Sequence, residues 1–170
     1  MAKPDKNLIS GGIFEVDQSN RVEDLSKDSF IAITRKEIVL CIKIPSKTKR
    51  KLFIWFERRS RKKLFGPEIF ARAIVFLLSA KGFLPARLII DVEYTGYEDV
   101  ITRIIKTFNN QIEIVFNRIG KNSTAHLVAY SFRSKRKRAV KKTAVVEPIY
   151  GTSAALHPEF TGIRNRTRPN

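Results

Sequence analysis

The chain has 170 residues, and its 33 lysines and arginines outnumber its 16 acids to give a net charge of +17. Apolar residues make up 43% of the sequence, including 12 phenylalanines, which excludes a disordered chain. Cys41 is the single cysteine, so a disulfide scaffold is excluded as well. No apolar run is long enough to cross a membrane and no apolar signal core begins the chain. We therefore expect a cytoplasmic protein without a membrane partner.

The excess positive charge is confined to two segments. Residues 47–63 hold nine basic side chains and one acid, and residues 121–170 hold 11 basic side chains and two acids. Residues 1–46 and 64–120 are balanced, with seven of each sign and six of each sign. Dense like charges repel one another, and a polyanion relieves that repulsion while releasing counterions. A solvated basic face without a specific partner is the plainer alternative.

The two basic segments predict a nucleic-acid partner, with DNA favoured over RNA, and hence a nucleoid-associated protein. An anionic membrane surface is less favoured, because neither segment forms a clear amphipathic helix. Whether the protein is a monomer or a homo-oligomer stays open. The predicted contact residues are Lys47, Lys49, Arg50, Lys51, Arg58, Arg59, Arg61, Lys62, Lys63, Lys121, Arg133, Lys135, Arg136, Lys137, Arg138, Lys141 and Lys142.

The first half of the chain predicts an arm followed by three strands. Residues 1–25 are polar and are interpreted as a flexible N-terminal arm. Residues 30–33, 37–44 and 51–57 are apolar runs rich in β-branched and aromatic residues, which is typical of strands. Short connections between them, including a turn at residues 45–48, favour an antiparallel meander.

The second half alternates helices and strands. Gly66-Pro67-Glu68 begins a helix that Gly82 ends, and residues 97–108 and 124–139 are predicted as two more helices. Residues 87–92 form a continuous apolar run typical of a buried parallel strand, and residues 112–116 form another strand.

This order predicts an α/β fold with a mixed sheet and helices on its faces. It is the element order of the ribonuclease H fold. We expect a core over residues 26–140 and a basic C-terminal extension over residues 141–170.

Enzymes of that fold hold divalent cations with carboxylates at strand ends, and Mg²⁺ or Mn²⁺ suits such oxygen ligands. Asp91 lies in the buried run 87–92, where an unpaired acid is costly, and Glu93 follows it on the same face of an extended chain. Asp28 precedes the run 30–33. We predict catalytic roles for Asp28, Asp91 and Glu93, with Asp28 and Asp91 as metal ligands. The predicted last helix has no acid near its start, so His126 is the candidate for the third position.

Several short motifs resemble the catalytic core of DDE transposases. Residues 28–33 look like the opening strand that carries the first acid of that family, and residues 90–97 look like the segment around its second acid. Residues 46–49, 58–60 and 118–122 are similar to its intervening turn, to its Arg-Ser pair and to the segment before its last acidic helix. The resemblance covers about residues 24–140. It implies Asp28 and Asp91 as the first two acids, while the family's glutamate is missing near Ala125 and His126.

Three functions follow as alternatives. The first is a metal-dependent nuclease or transposase-type enzyme that uses Asp28 and Asp91. The second is a non-catalytic DNA- or RNA-binding protein on the same fold. The third is a ribosome-associated protein, which the small size and the pI near 10.4 favour.

Overall fold

The computed structural model describes residues 11–36, 38–134 and 149–159. Six strands form one mixed sheet in the order β5-β4-β1-β2-β3-β6. Their bounds are β1 Ile13–Ser19, β2 Ser29–Arg35, β3 Ile38–Ile44, β4 Arg87–Asp91, β5 Glu113–Asn117 and β6 Ile149–Tyr150. β1, β2 and β3 pair antiparallel, whereas β4 is parallel to β1, β5 is parallel to β4, and β6 is parallel to β3.

Five α-helices and one short 3₁₀ helix are described. The α-helices are α1 Ser46–Arg58, α2 Phe65–Lys81, α3 Glu98–Phe108, α4 Thr124–Ser134 and α5 Ser153–Leu156. The 3₁₀ helix, Lys62–Leu64, connects α1 to α2. No helix in the described ranges is long and apolar enough to cross a membrane.

The sheet is covered on both faces because its strands alternate their side chains. On β2, Ile31 and Ile33 belong to the larger core, which also contains the buried faces of α1, α2 and α3. Phe30 and Ala32 point the other way and pack with Val128 and Ala129 of α4. The mixed sheet with helices on both faces was predicted, and the structure confirms it.

The N-terminal arm is the first correction. Residues 13–19 form β1, which lies between β2 and β4, and Phe14 and Val16 are fully buried. The prediction of a flexible arm over residues 1–25 is therefore wrong for this strand. Its first four residues alternate in burial, but its last three are polar and resemble a loop. Residues 1–10 lie outside the described part of the chain.

The predicted third strand is the second correction. Residues 51–57 belong to α1, which buries Lys49, Leu52 and Phe56 at three- and four-residue spacing. The antiparallel set therefore consists of β1, β2 and β3 and not of the three runs predicted. Pro45 stands just before the helix in extended conformation, so its segment begins α1 and forms no hairpin turn.

The remaining predicted elements are confirmed to within a few residues. They are β2, β3, α2, β4, α3, β5 and the start of α4. Gly82 ends α2 in the left-handed conformation, with φ of 64°. The predicted extension over residues 141–170 is wrong in part, because β6 joins the sheet and Leu156 of α5 is buried in the larger core. Residues 135–148 and 160–170 are not among the described residues.

Candidate metal centre

Asp17 and Asp91 meet because β1 and β4 run parallel in register. Val16 pairs with Ile90, so the next residues along the two strands, Asp17 and Asp91, lie side by side. Asp91 is the last residue of β4, and Asp17 is two residues from the end of β1. Opposite residues of parallel strands point to the same face, which here is the face covered by α4.

Glu93 completes a group of three carboxylates. One oxygen from each of Asp17, Asp91 and Glu93 lies within 4.8 Å of the others. Asp17 is only 2% exposed, whereas Asp91 and Glu93 are half-buried. Hard carboxylate oxygens are the ligands that Mg²⁺ and Mn²⁺ prefer. The donor set and its placement at strand ends therefore fit such a cation.

The Asp17 carboxylate is held by two hydrogen bonds. The Gln18 N–H donates to Oδ1 at 2.6 Å, and Nδ1 of His126 lies 2.9 Å from Oδ2. Burial raises the pKa of Asp17, and the nearby Asp91 adds to the rise, while the two hydrogen bonds oppose it. A buried charge whose pKa is still raised lacks full compensation. A divalent cation at this position would supply that compensation.

His126 reaches this group from the first turn of α4. Ser123 precedes the helix, and its Oγ accepts a hydrogen bond from the His126 backbone N–H. The ring of His126 stacks on that of Tyr130 at a centroid distance of 6.3 Å. The sequence singled out His126, Asp91 and Glu93, and the structure brings all three together around Asp17.

Asp91 and Glu93 are also oriented by neighbours. The Ile119 N–H, in the loop after β5, donates to Asp91 Oδ1 at 2.7 Å. Nε of Arg21 lies 3.0 Å from Glu93 Oε2 and forms an ion pair with it. Each acid of the centre thus has a hydrogen-bond donor beside it.

Asp28 is not part of this centre. Its Oδ1 accepts the Ser46 N–H at 2.8 Å, and its Oδ2 lies 3.0 Å from Nζ of Lys43. Although partial burial opposes it, these two contacts lower the pKa of Asp28. Its carboxylate binds the start of α1, so the prediction that Asp28 shares a metal with Asp91 is wrong in this structure.

Sequence reasoning missed Asp17. The acid directly follows an alternating segment, Ile13 to Val16, in which every second residue is buried. That alternation is a strand signal. The polar residues from Asp17 to Asn20 instead favour a flexible arm, and that interpretation hides the strand.

Most of the predicted basic contact residues that the structure describes are exposed, with one clear exception. The Lys49 side chain is 0% exposed, and its Nζ donates to Ser29 Oγ at 2.7 Å and to the backbone oxygens of Arg21 and Asp24. The prediction that Lys49 contacts nucleic acid is therefore wrong, because the amine is used inside the fold. Its helix neighbours Lys47, Arg50 and Lys51 are exposed.

The end of α1 and the turn after it carry basic and aromatic side chains together. The Arg59 guanidinium lies 4.1 Å from the ring centroid of Trp55, and Arg61 binds the buried Glu68. Arg58, Lys62 and Lys63 are exposed on the same segment. Lys121 and Arg133 are exposed near the two ends of α4. The other predicted contacts, Lys135, Arg136, Lys137, Arg138, Lys141 and Lys142, lie outside the described residues.

Comparisons with protein-family models, with curated proteins and with solved structures found no match.

Proposed function

We propose that this protein binds nucleic acid and performs metal-dependent phosphodiester chemistry on a ribonuclease H-like fold. Asp17, Asp91 and Glu93 are the proposed ligands, and Mg²⁺ or Mn²⁺ is the proposed cation. The observation that carries the proposal is the meeting of three carboxylates near the ends of two adjacent parallel strands. Acids at such strand ends form the metal sites of that fold.

The topology supports the fold assignment. Three antiparallel strands precede two parallel strands, and the first strand of the chain lies at the centre of the sheet. The resemblance to DDE transposases needs one revision, because Asp17 takes the place we gave to Asp28. Asp91 keeps its place as the second acid. His126 on α4 stands where that family has its glutamate.

The side chains of the centre have separable tasks in this proposal. When bound, the metal activates a water or hydroxyl and stabilises the leaving oxygen of a phosphodiester. Asp17, Asp91 and Glu93 bind and orient it. His126 holds Asp17 through Nδ1, and in the tautomer that carries its proton on Nδ1 the atom that would accept a proton is Nε2.

A cleavage assay with matched variants tests the proposal. Labelled single- and double-stranded DNA and RNA are incubated with the protein in Mg²⁺, in Mn²⁺ and in EDTA. We expect cleavage in either metal, its loss in EDTA, and its loss in Asp17→Asn and Asp91→Asn. Asp28→Asn is the control, since Asp28 lies outside the centre, and it should retain cleavage. Equal loss in Asp28→Asn and Asp91→Asn would contradict the assignment of the ligands.

Binding without catalysis is the second candidate function. The net charge of +17 and the basic surface at the end of α1 favour it independently of the acids. Tight binding in EDTA, without cleavage in any metal, would favour a DNA- or RNA-binding protein. Co-sedimentation with ribosomes would then indicate a ribosome-associated role.

A further inference from the structure

Arg21 is the cationic side chain that touches the acidic centre most directly. Its Nε donates to Oε2 of Glu93 at 3.0 Å, and its Nη2 donates to the backbone oxygen of Glu93. The guanidinium also lies 5.8 Å from the ring centroid of Tyr94. The side chain is nonetheless 58% exposed. A fixed but accessible guanidinium beside the centre is therefore open to a second, anionic ligand.

Two side chains hold the backbone of Arg21 by hydrogen bonds. Its carbonyl oxygen accepts hydrogen bonds from Ser29 Oγ at 3.1 Å and from the buried Lys49 Nζ at 3.4 Å. The β1–β2 loop, residues 20–28, is tied to α1 again by the Arg50 guanidinium, which binds the carbonyl of Leu25. These contacts hold the loop, and with it Arg21, at a fixed place next to Glu93. A binding group held this way loses little conformational freedom when a ligand arrives.

The geometry of the guanidinium leaves one nitrogen for a ligand. Nε and Nη2 are used on Glu93, while Nη1 has no hydrogen-bond acceptor among the residues that the structure describes. The N–H groups of an arginine form charge-assisted hydrogen bonds with phosphate oxygens, and Nη1 can form one here. Three carboxylates would repel a phosphodiester, so a cation of the protein beside the metal favours its approach.

We propose that Arg21 positions the nucleic-acid substrate by binding a non-bridging oxygen of a phosphate at the centre. This inference rests on the proposed function, because it assumes a metal at Asp17, Asp91 and Glu93. It assigns Arg21 a positioning role and assigns it no share in proton transfer. The same positive charge also opposes the metal, so Arg21 acts on the two ligands in opposite directions.

The test measures both ligands on the same variants. Mn²⁺ alone is titrated by calorimetry, and a short fluorescent single-stranded DNA is titrated in Ca²⁺, which permits binding without turnover. We expect Arg21→Gln to bind Mn²⁺ roughly two- to fivefold more tightly, because a repelling charge is removed. It should bind the oligonucleotide roughly tenfold more weakly, because a charge-assisted hydrogen bond is lost. Arg21→Lys, which keeps the charge without the fork, should fall between.

Lys27→Gln is the matched control. Lys27 is an exposed cation of the same loop that pairs with Asp24 and not with the centre. The control should leave Mn²⁺ affinity unchanged and change oligonucleotide affinity by less than Arg21→Gln does. A fall in both affinities of Arg21→Gln would indicate a merely structural role and overturn the inference. Unchanged oligonucleotide affinity would overturn it too.

The two proposals fail in different ways. If the unmodified protein binds no Mn²⁺, or if Asp91→Asn binds it equally well, the proposed function fails and the positioning role fails with it. If Mn²⁺ binding depends on Asp91 but Arg21→Gln binds the oligonucleotide normally, only the role of Arg21 is overturned.

Discussion

Asp17 buries a negative charge that the folded protein alone compensates incompletely. Its exposure is 2%, and its raised pKa results first from burial. Asparagine is almost the same shape, and its amide can donate to Nδ1 of His126 in the tautomer that carries its proton on Nε2. We therefore expect Asp17→Asn to raise the free energy of unfolding by about 1 kcal/mol in EDTA at neutral pH. The variant should also lose any Mn²⁺-induced rise in Tm.

Thermal melts in EDTA and in Mn²⁺ measure both effects. Asp28→Asn provides the comparison, because the Asp28 carboxylate binds Ser46 at the start of α1 and pairs with Lys43. That variant should lose about 1 kcal/mol and keep its response to Mn²⁺. A lower Tm of Asp17→Asn than of the unmodified protein in EDTA would contradict the inference that the charge of Asp17 is incompletely compensated.

The buried amine of Lys49 makes the free energy of unfolding depend on pH in the alkaline range. Burial lowers the pKa of its amine to about 8, against an ordinary value near 10.5, and nearby acids oppose the shift. Between these two pH values the unfolded chain binds more protons than the folded chain, so stability contributed by this group rises with pH. Relative to Lys49→Met, the unmodified protein should gain about 1–2 kcal/mol between pH 8 and pH 10.

Urea denaturation at the two pH values measures this gain. Lys51→Met is the reference variant, since Lys51 is exposed on the same helix and should show no such gain. A difference between the unmodified protein and Lys49→Met that stays constant with pH would contradict the lowered pKa.

At the level of single residues, the sequence predicted part of the centre. Asp91 stood out because an acid inside an apolar run needs a partner, and Glu93 followed from the two-residue period of a strand. Asp17 did not stand out, because its pairing with Asp91 depends on a crossover that joins strands more than 70 residues apart. Lys49 lies in a basic run that predicts nucleic-acid contact, whereas helix geometry turns this one side chain inward.

At the level of elements, α1 shows that the hydrophobic pattern of a short segment does not always predict its secondary structure. The run Leu52-Phe53-Ile54-Trp55-Phe56 is apolar at every position, so its period does not distinguish a strand from a helix. The structure resolves this through three-dimensional contacts: Phe53 and Phe56 pack edge-on against Phe65 of α2. Longer elements with clear periods and end signals, such as α2 and α3, were predictable to within about two residues.

Gly82, at the end of α2, allows the cost of backbone conformation to be tested separately from steric contacts. Gly82 has φ of 64°, and an added Cβ would meet no atom within 4 Å, so only backbone strain opposes a side chain there. We expect Gly82→Ala to lower the free energy of unfolding by about 1 kcal/mol. Gly120 also has open space around it but lacks a positive φ. Gly120→Ala should be neutral or slightly stabilising in the same urea denaturation, and equal losses would contradict the argument.

At the scale of the whole molecule, the net charge of +17 is the feature most visible in the sequence. Its distribution in blocks was predictable by counting, but which basic side chains stay available was not. Three of these cations already have partners within the fold. Arg61 pairs with Glu68 and Lys62 with Glu57, while Arg59 pairs with Glu159 and lies over the ring of Trp55. Arg58 and Lys63 are exposed in the same segment and are the clearest candidates for phosphate contacts.

The salt dependence of nucleic-acid binding tests this surface. Each lysine or arginine that neutralises a phosphate contributes about 0.9 to the slope of log affinity against log salt concentration. The double variant Arg58→Gln, Lys63→Gln should therefore lower that slope by about two. A second double variant at Lys81 and Arg103, which are exposed cations outside both basic segments, should leave the slope nearly unchanged. Equal effects of the two double variants would indicate diffuse attraction by net charge alone.

We propose that Asp17, Asp91 and Glu93 together hold a divalent cation. The most direct measurement is an anomalous difference map from crystals of the protein grown with Mn²⁺. We predict one strong peak among these three carboxylates, within about 2.5 Å of an oxygen of Asp17 and of Asp91. Crystals with Mn²⁺ in the solution and no peak at this position, or a peak only at Asp28 or elsewhere on the surface, would contradict it.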